Sequence, residues 1–150
     1  MAIQVSLITD QASLDQAFTI RKKVFVEEQG VPLSLEIDEY EEVAIHFIAR
    51  IQDRPVGTLR LRWLTEEKDL GKVERVAVLS SYRGARVGIA LMHAVEDYAM
   101  QKEAHRLKLS AQLSAAPFYT KLGYQQFGST YMDAGIEHIS MDKHLPAGKV

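Results

Sequence analysis

The stretch Arg75-Val76-Ala77-Val78-Leu79-Ser80-Ser81-Tyr82-Arg83-Gly84-Ala85-Arg86-Val87-Gly88-Ile89-Ala90 decides how the chain is read. Val73–Leu79 reads as a strand whose apolar residues are nearly continuous from Val76, as expected when both faces are covered. A glycine-containing turn, Ser81–Gly88, follows. Val87, Leu91, Val95 and Tyr98 then space the buried stripe of a helix running to about Gln101. A helix start leaves backbone N–H groups unpaired, and the helix dipole adds about half a positive charge there. Gly84, Ala85 and Gly88 are small enough to let a diphosphate approach those amides, and Arg83 and Arg86 add charge at the same mouth. The same residues also suit a plain strand-to-helix turn, its glycines relieving backbone strain and its arginines in solvent. Neither the G-x-G-x-x-G nor the Walker A pattern is present.

Outward from this turn, hydrophobic periodicity alternates between 2 and 3.6, the mark of a mixed α/β domain. Ile3–Ile8 reads as a first strand. Ser13-Leu14-Asp15-Gln16 has capping-box spacing, and Leu14, Phe18, Arg21, Phe25 and Glu28 fall along one helical stripe closed by Gly30 and Pro32. Val43–Ile51 and Val56–Leu64 form two strands joined through Asp53-Arg54-Pro55. Beyond the central helix come a strand at Leu107–Ala111, a short helix at Ser114–Leu122, and strands at Tyr124–Phe127 and Ile136–Met141. Strand, helix and strand from residue 73 to 111 predict a right-handed parallel crossover. No repeat or linker divides the chain, so residues 1–150 are expected to form one domain.

The composition, 47% hydrophobic and 25% charged over 150 residues, is that of a globular protein. A net charge of −2 offers no bulk positive field for nucleic acid or an anionic membrane, so neither is an expected partner. The absence of cysteine excludes a disulfide scaffold, a thiolate zinc site and a cysteine nucleophile. The five histidines show no ligand spacing with nearby acids, so no metal is expected. No signal peptide and no apolar run near the roughly 20 residues of a membrane span is visible, and the expected location is the cytoplasm.

Two motifs then carry a resemblance. Glu74-Arg75-Val76-Ala77-Val78, Tyr82-Arg83-Gly84-Ala85-Arg86-Val87-Gly88 and Ala90-Leu91-Met92 resemble motif A of the GNAT N-acetyltransferases. Gln112-Leu113-Ser114-Ala115-Ala116-Pro117-Phe118-Tyr119-Thr120-Lys121-Leu122-Gly123-Tyr124 is similar to the closing N-x-x-A-x-x-F-Y-x-K-x-G-F signature of that family. The resemblance implies the GNAT fold: a mixed, mostly antiparallel sheet of about seven strands, flanked by about four helices, splayed between strands 4 and 5. It implies acetyl-CoA as acyl donor. Val76, Ala77 and Val78 would pair with the pantetheine arm, and the Val76 or Val78 N–H would serve the oxyanion. The amides of Arg83, Gly84, Ala85, Arg86, Val87 and Gly88 would hold the pyrophosphate, with Gln112 and Phe118 also against the coenzyme. Tyr119 would protonate the leaving thiolate, although Phe118 and Tyr119 also suit aromatic packing. Arg86 occupies a slot where the family has glycine. Its guanidinium reaches a phosphate if its backbone keeps φ negative.

Candidate general bases are Glu74, His46 and His138, each with an ordinary structural reading beside it. Arg21 shares a stripe with two phenylalanines, so it needs a carboxylate such as Glu36 or Asp38, or an anionic ligand. Between Val24 and Ala49 stand seven acids and no Lys or Arg, either a solvated face or a negative rim for a cationic amine. Arg21-Lys22-Lys23-Val24-Phe25-Val26-Glu27-Glu28-Gln29-Gly30-Val31-Pro32, Glu36-Ile37-Asp38, His46 and Gly57-Thr58-Leu59-Arg60 resemble the ElaA/YjcF-type subgroup. Arg21, Glu36, His46, Arg60 and His138 are thus candidate substrate contacts. The expected function is acetyl transfer to a primary amine, in a small molecule, by direct attack in a ternary complex. Acyl-homoserine-lactone synthases have a similar Arg…Phe…Glu-x-Asp…Arg pattern, matched here by Arg21, Phe25, Glu36, Asp38 and Arg60, and form an alternative, as does a non-catalytic acetyl-CoA-binding module. The resemblance also makes a homodimer an expectation.

Overall fold

The computed structural model describes residues 2–146. Its contacts group into two compact units, Met1–Arg62 with Arg75–Val95 and Trp63–Glu74 with Glu96–Val150. Seven strands form one sheet in the order β1-β2-β3-β4-β5-β7-β6. They are β1 (Ile3–Leu7), β2 (Ile45–Ile51), β3 (Arg54–Trp63), β4 (Leu70–Val78), β5 (Arg106–Gln112), β6 (Gln125–Asp133) and β7 (Ile136–His144). The helices are α1 (Gln11–Arg21), α2 (Leu33–Glu36), α3 (Val87–Gln101) and α4 (Ala116–Lys121). The expected mixed fold of seven strands and four helices is the one observed. β1, β2 and β3 pair antiparallel in sequence, as do β5 with β7 and β7 with β6, whereas β4 and β5 run parallel. That parallel ladder covers only Leu70↔Arg106 to Val73↔Leu109, although β4 continues to Val78 and β5 to Gln112.

In the first unit, α1 begins at Asp10, whose carboxylate accepts the Ser13 N–H at 2.6 Å. The cap thus lies three residues ahead of the expected Ser13 box, because an anion satisfies the exposed amides and the positive helix end together. Past Arg21 the helix widens into a π-helical segment, Lys22–Glu28. The buried stripe, Ala17, Ile20, Arg21 and Val24, keeps α-helical spacing but is rotated from the expected one, and the wider turns then leave Glu28 exposed. Gly30, at φ 74, ends the segment and lets the Val31 N–H reach back to the Phe25 carbonyl at 2.9 Å. The short helix α2 was not legible as a helix in the sequence.

The β2–β3 turn is Gln52-Asp53, with φ of 51° and 65°, the two left-handed residues of a type I′ hairpin. Pro55, expected in the turn, instead sits in β3 opposite Arg50, where the register shifts and its missing N–H is tolerated. Ile20, Val24 and Ala77 pack together with Phe25 and Leu79, which brings the π-helical segment against the end of β4. In the second unit, Leu107, Leu109 and Ala111 alternate inward along β5 and meet Ile139 and Met141 of β7. β6 runs to Asp133, well beyond the expected Phe127, and is exposed along its whole length.

Gly57 on β3 is a test of this packing. A Cβ there would stand 2.9 Å from Val87 Cγ1, 3.0 Å from Leu91 Cδ1 and 3.2 Å from the Ala77 carbonyl oxygen. Gly57→Ala is therefore expected to cost about 1–3 kcal/mol by overpacking, measured as a lowered midpoint in urea.

Candidate active site

The β4–α3 connection places its groups through backbone geometry. Ser80–Tyr82 make one 3-10 turn, Gly84 takes φ 86 and Arg86 takes φ 69, and α3 starts at Val87. The Ala90 N–H donates to the Arg86 carbonyl at 3.1 Å, so the amides of Val87, Gly88 and Ile89 precede the first helical bond. Arg86 does not keep φ negative, and the expectation that depended on it is corrected. Its backbone holds the left-handed conformation glycine would take, at a cost of roughly 1–2 kcal/mol for an L residue, and its side chain is simply added to that geometry. Arg83 donates from Nε to the Val78 carbonyl at 3.1 Å and from Nη2 to Glu28 at 2.7 Å. The turn is thus tied to both β4 and the π-helical segment.

The first unit also holds a buried ionic network. Arg21, 1% exposed, donates from Nε to Glu36 Oε1 at 3.0 Å, and from Nη2 to Glu41 Oε2 at 2.7 Å and the Glu36 carbonyl at 2.8 Å. Arg60, equally buried, forks onto both Asp38 oxygens at 2.8 and 2.9 Å and lies 3.0 Å from Glu41. Arg75 is a third arm: Nε meets Glu36 Oε2 at 2.8 Å and Nη2 meets Asp38 Oδ2 at 3.2 Å. Three guanidinium groups face three carboxylates, so the formal charges cancel. Burial by itself pulls the Arg21 pKa down, but the hydrogen bonds to Glu41 and Glu36 and their charges raise it by more. Partial burial likewise pushes the Asp38 carboxyl up. Hydrogen bonds from Arg60 and the Tyr40 N–H, with the Arg60 and Arg75 charges, outweigh that and bring it down to about 2.

His46, 7% exposed, donates from Nε2 to the Glu41 carbonyl at 2.9 Å and sets its ring edge against Phe18. Burial lowers its pKa, so it is a neutral structural donor in this network. Arg21, Glu36, His46 and Arg60, the expected substrate contacts of the first unit, are therefore brought together, each engaged by the others or by Glu41 and Asp38. Of the seven acids read as a possible rim, Glu36, Asp38 and Glu41 face arginines inside and Glu28 faces Arg83. Arg75 was missed as a member of the group. Its neighbours in sequence give no warning that φ is 57 in the middle of β4, which re-aims its side chain.

In the second unit, Glu74 lies 3.4 Å from Lys72 Nζ. Gln112 ends β5 directly opposite His138 on β7. His138 donates from Nδ1 to the Ile136 carbonyl at 2.7 Å and stacks on Tyr131, whose hydroxyl bonds Ser110 Oγ. Phe118 and Tyr119 meet edge to face on α4, ring centroids 5.0 Å apart. Tyr119 is nearly buried, and that burial pushes its phenol up to about 12. Its ring also meets Tyr124, whose hydroxyl donates to Glu96 at 2.9 Å; the other Glu96 oxygen accepts from Lys143 at 2.9 Å. Burial and the adjacent Glu96 carboxylate raise the Tyr124 pKa. Among the described residues no group of three or more His, Asp or Glu could hold a metal ion, and no helix is long and apolar enough to cross a membrane.

Comparison with known proteins identifies the family and the fold. Residues 9–145 match the acetyltransferase (GNAT) domain family. The uncharacterised N-acetyltransferase YjcF of Bacillus subtilis is 41% identical over 135 residues, covering 89% of this chain and 94% of that protein. A candidate N-acetyltransferase from Lactobacillus plantarum superposes with a TM-score of 0.88 at 27% identity, over 97% of this chain and all of the other. Escherichia coli ElaA gives a TM-score of 0.83 at 23% identity, over 95% and 99%, a likeness of fold.

The network makes a pH prediction. The folded Asp38 pKa is depressed, so its stabilisation is complete above the ordinary carboxylate range and is lost as pH falls from about 4 to about 2. Asp38→Asn should lose roughly 2 kcal/mol at pH 7 by urea titration. Its deficit against the parent protein should shrink across that acid window and vanish near its lower end.

Proposed function

Given that the chain belongs to the GNAT acetyltransferase family and is an acyltransferase, we propose that it transfers the acetyl group of acetyl-CoA to a primary amine by direct attack in a ternary complex. The observation that carries this reading is the β4–α3 turn, with left-handed Gly84 and Arg86 ahead of the free amides of Val87, Gly88 and Ile89. These amides receive the pyrophosphate, at a helix end that favours anions, whereas those of Arg83 and Ala85, also expected to hold it, already donate to the Ser80 and Tyr82 carbonyls at 3.3 and 3.2 Å. The Arg83 guanidinium exchanges Glu28 for phosphate, an exchange that costs little because the two side chains are 48% and 35% exposed and their pairing is screened by solvent. Val76 and Val78 present backbone groups to the pantetheine amides, and one of their N–H groups faces the thioester oxygen.

The amine lone pair attacks the thioester carbon, forming the C–N bond and an oxyanion that the β4 N–H stabilises. Collapse breaks the C–S bond, and Glu74, beside Lys72, accepts the proton that the new ammonium sheds. With no cysteine in the chain, no acetyl-cysteine precedes this attack. The family motif that Tyr119 matches assigns it to the departing sulfur. Held near 12, its phenol stays protonated at every working pH, so it is a permanent donor. Complete transfer to a thiolate of ordinary pKa, about 8.5, is uphill, and the hydrogen bond itself is the contribution.

Thermal unfolding with and without acetyl-CoA, beside Arg83→Ala, tests the coenzyme site. Ligand at about 100 times its Kd adds roughly 2.7 kcal/mol. That is a rise of about 5–10 °C for a chain of this size, expected to shrink in Arg83→Ala. No rise at millimolar acetyl-CoA removes the reading. Tyr119→Phe should lower kcat by about 10²–10³-fold while leaving that thermal shift in place. The parent enzyme should show no loss of rate from Tyr119 ionisation below about pH 11. A Tyr119→Phe protein with full turnover takes Tyr119 out of the mechanism.

A further inference from the structure

Residues 33–43 are turned inside out. Their acids Glu36, Asp38 and Glu41 point inward to Arg21, Arg60 and Arg75, and Glu36 is only 2% exposed. Their large apolar side chains point the other way: Leu33 is 52%, Leu35 57%, Ile37 37% and Val43 70% exposed. Tyr40 joins them, with the Arg62 guanidinium 3.9 Å above its ring centroid. Half of the large hydrophobic residues that the described chain exposes fall in this one segment, so they form a patch and not the usual scatter of single residues. The buried ion pairs hold the segment in this orientation, and it cannot roll its leucines inward without unpairing three arginines.

The position of the patch points to its occupant. Arg75 donates to the Leu35 carbonyl at 3.3 Å and to the Glu36 carbonyl at 3.1 Å. Arg75 immediately precedes Val76, the start of the β4 stretch read above as the pantetheine strand. The apolar surface is therefore tied, through one side chain, to the place where the thioester is read to lie. Two carboxylates of the same segment, Glu39 and Glu42, remain exposed and supply charge that complements an approaching ammonium.

From this arrangement we infer that the acetyl acceptor is a primary amine carried on an apolar body, received by Leu33, Leu35 and Ile37, with Glu39 and Glu42 drawing in the cationic end. The inference rests on the transferase reading above. It separates this chain from transferases of amino sugars or polyamines, whose acceptors would leave five apolar side chains in water. A second copy of the chain covering the patch lacks any use for the exposed carboxylates, which like would meet like across a two-fold axis.

Calorimetric titration of ethylamine, butylamine, hexylamine and octylamine into the coenzyme A-saturated protein tests the inference without turnover. Affinity should rise with chain length by up to about fourfold per methylene, the factor corresponding to ~0.8 kcal/mol per buried CH₂. Leu35→Ser should flatten the series while the coenzyme-induced thermal shift persists, which shows that the variant is folded. A flat series in the parent protein, or tighter binding of glucosamine or spermidine than of octylamine, overturns it. A dimer seen in sedimentation that Leu35→Ser dissociates, with amine binding unaltered, assigns the patch to a second copy and also overturns it. Graded amine binding with no acetyl transfer to any amine would leave the apolar site standing and remove the transferase reading instead.

Discussion

The Arg21–Glu36–Glu41 pairing is the constraint on which the first unit depends. A guanidinium that is 1% exposed is tolerable only when its donors are taken, and here they are taken by two carboxylates and a backbone carbonyl. The same carboxylates serve Arg75 and Arg60, so α1, the α2 segment, β3 and β4 share one set of charges. Replacing any member leaves an uncompensated charge in the interior, which is what makes the arrangement specific as well as stable. The α2 segment has almost no apolar burial of its own and owes its position to these ion pairs.

Strained backbone appears within β4 and in the turn that follows it. Arg75 and Arg86 are both left-handed, although neither is glycine. At Arg75 the strain re-aims a side chain out of the strand alternation and into the ionic network. At Arg86 it preserves the amide geometry ahead of α3 that a glycine would provide. Strain of this kind is retained when the surroundings over-determine it, and both positions border the stretch to which the transfer chemistry is assigned. The second unit achieves its order differently, through the Lys143–Glu96–Tyr124 chain and the aromatic edge contacts that hold Tyr119.

Much of the architecture was legible because short windows encode it. Periodicity located all seven strands, α1, α3 and α4, while their ends shifted by a few residues where caps and bulges intervened. Asp10 took the cap from Ser13 because a carboxylate outcompetes a hydroxyl at a positive helix end. β6 outran its expected length because an exposed edge strand carries no buried alternation to read. α2 was invisible, since a four-residue helix with its acid inside and its leucines outside contradicts the pattern by which helices are recognised.

The sequence by itself determined the element order, the glycine-bearing turn ahead of α3 and the two motifs that mark the family, all set by residues within a few positions of one another. It also established that Arg21 requires a partner, because no side chain can change the cost of burying a bare guanidinium. The sequence narrowed that partner to Glu36 or Asp38, or an anionic ligand, and only the tertiary structure chose Glu36 and added Glu41 beside it. Glu36 lies 15 residues from Arg21 and 39 from Arg75, and such pairings depend on how strands and helices stack and not on local pattern. The left-handed backbone at Arg75 and the outward face of residues 33–43 follow from those distant pairings, so no window of the sequence contains them.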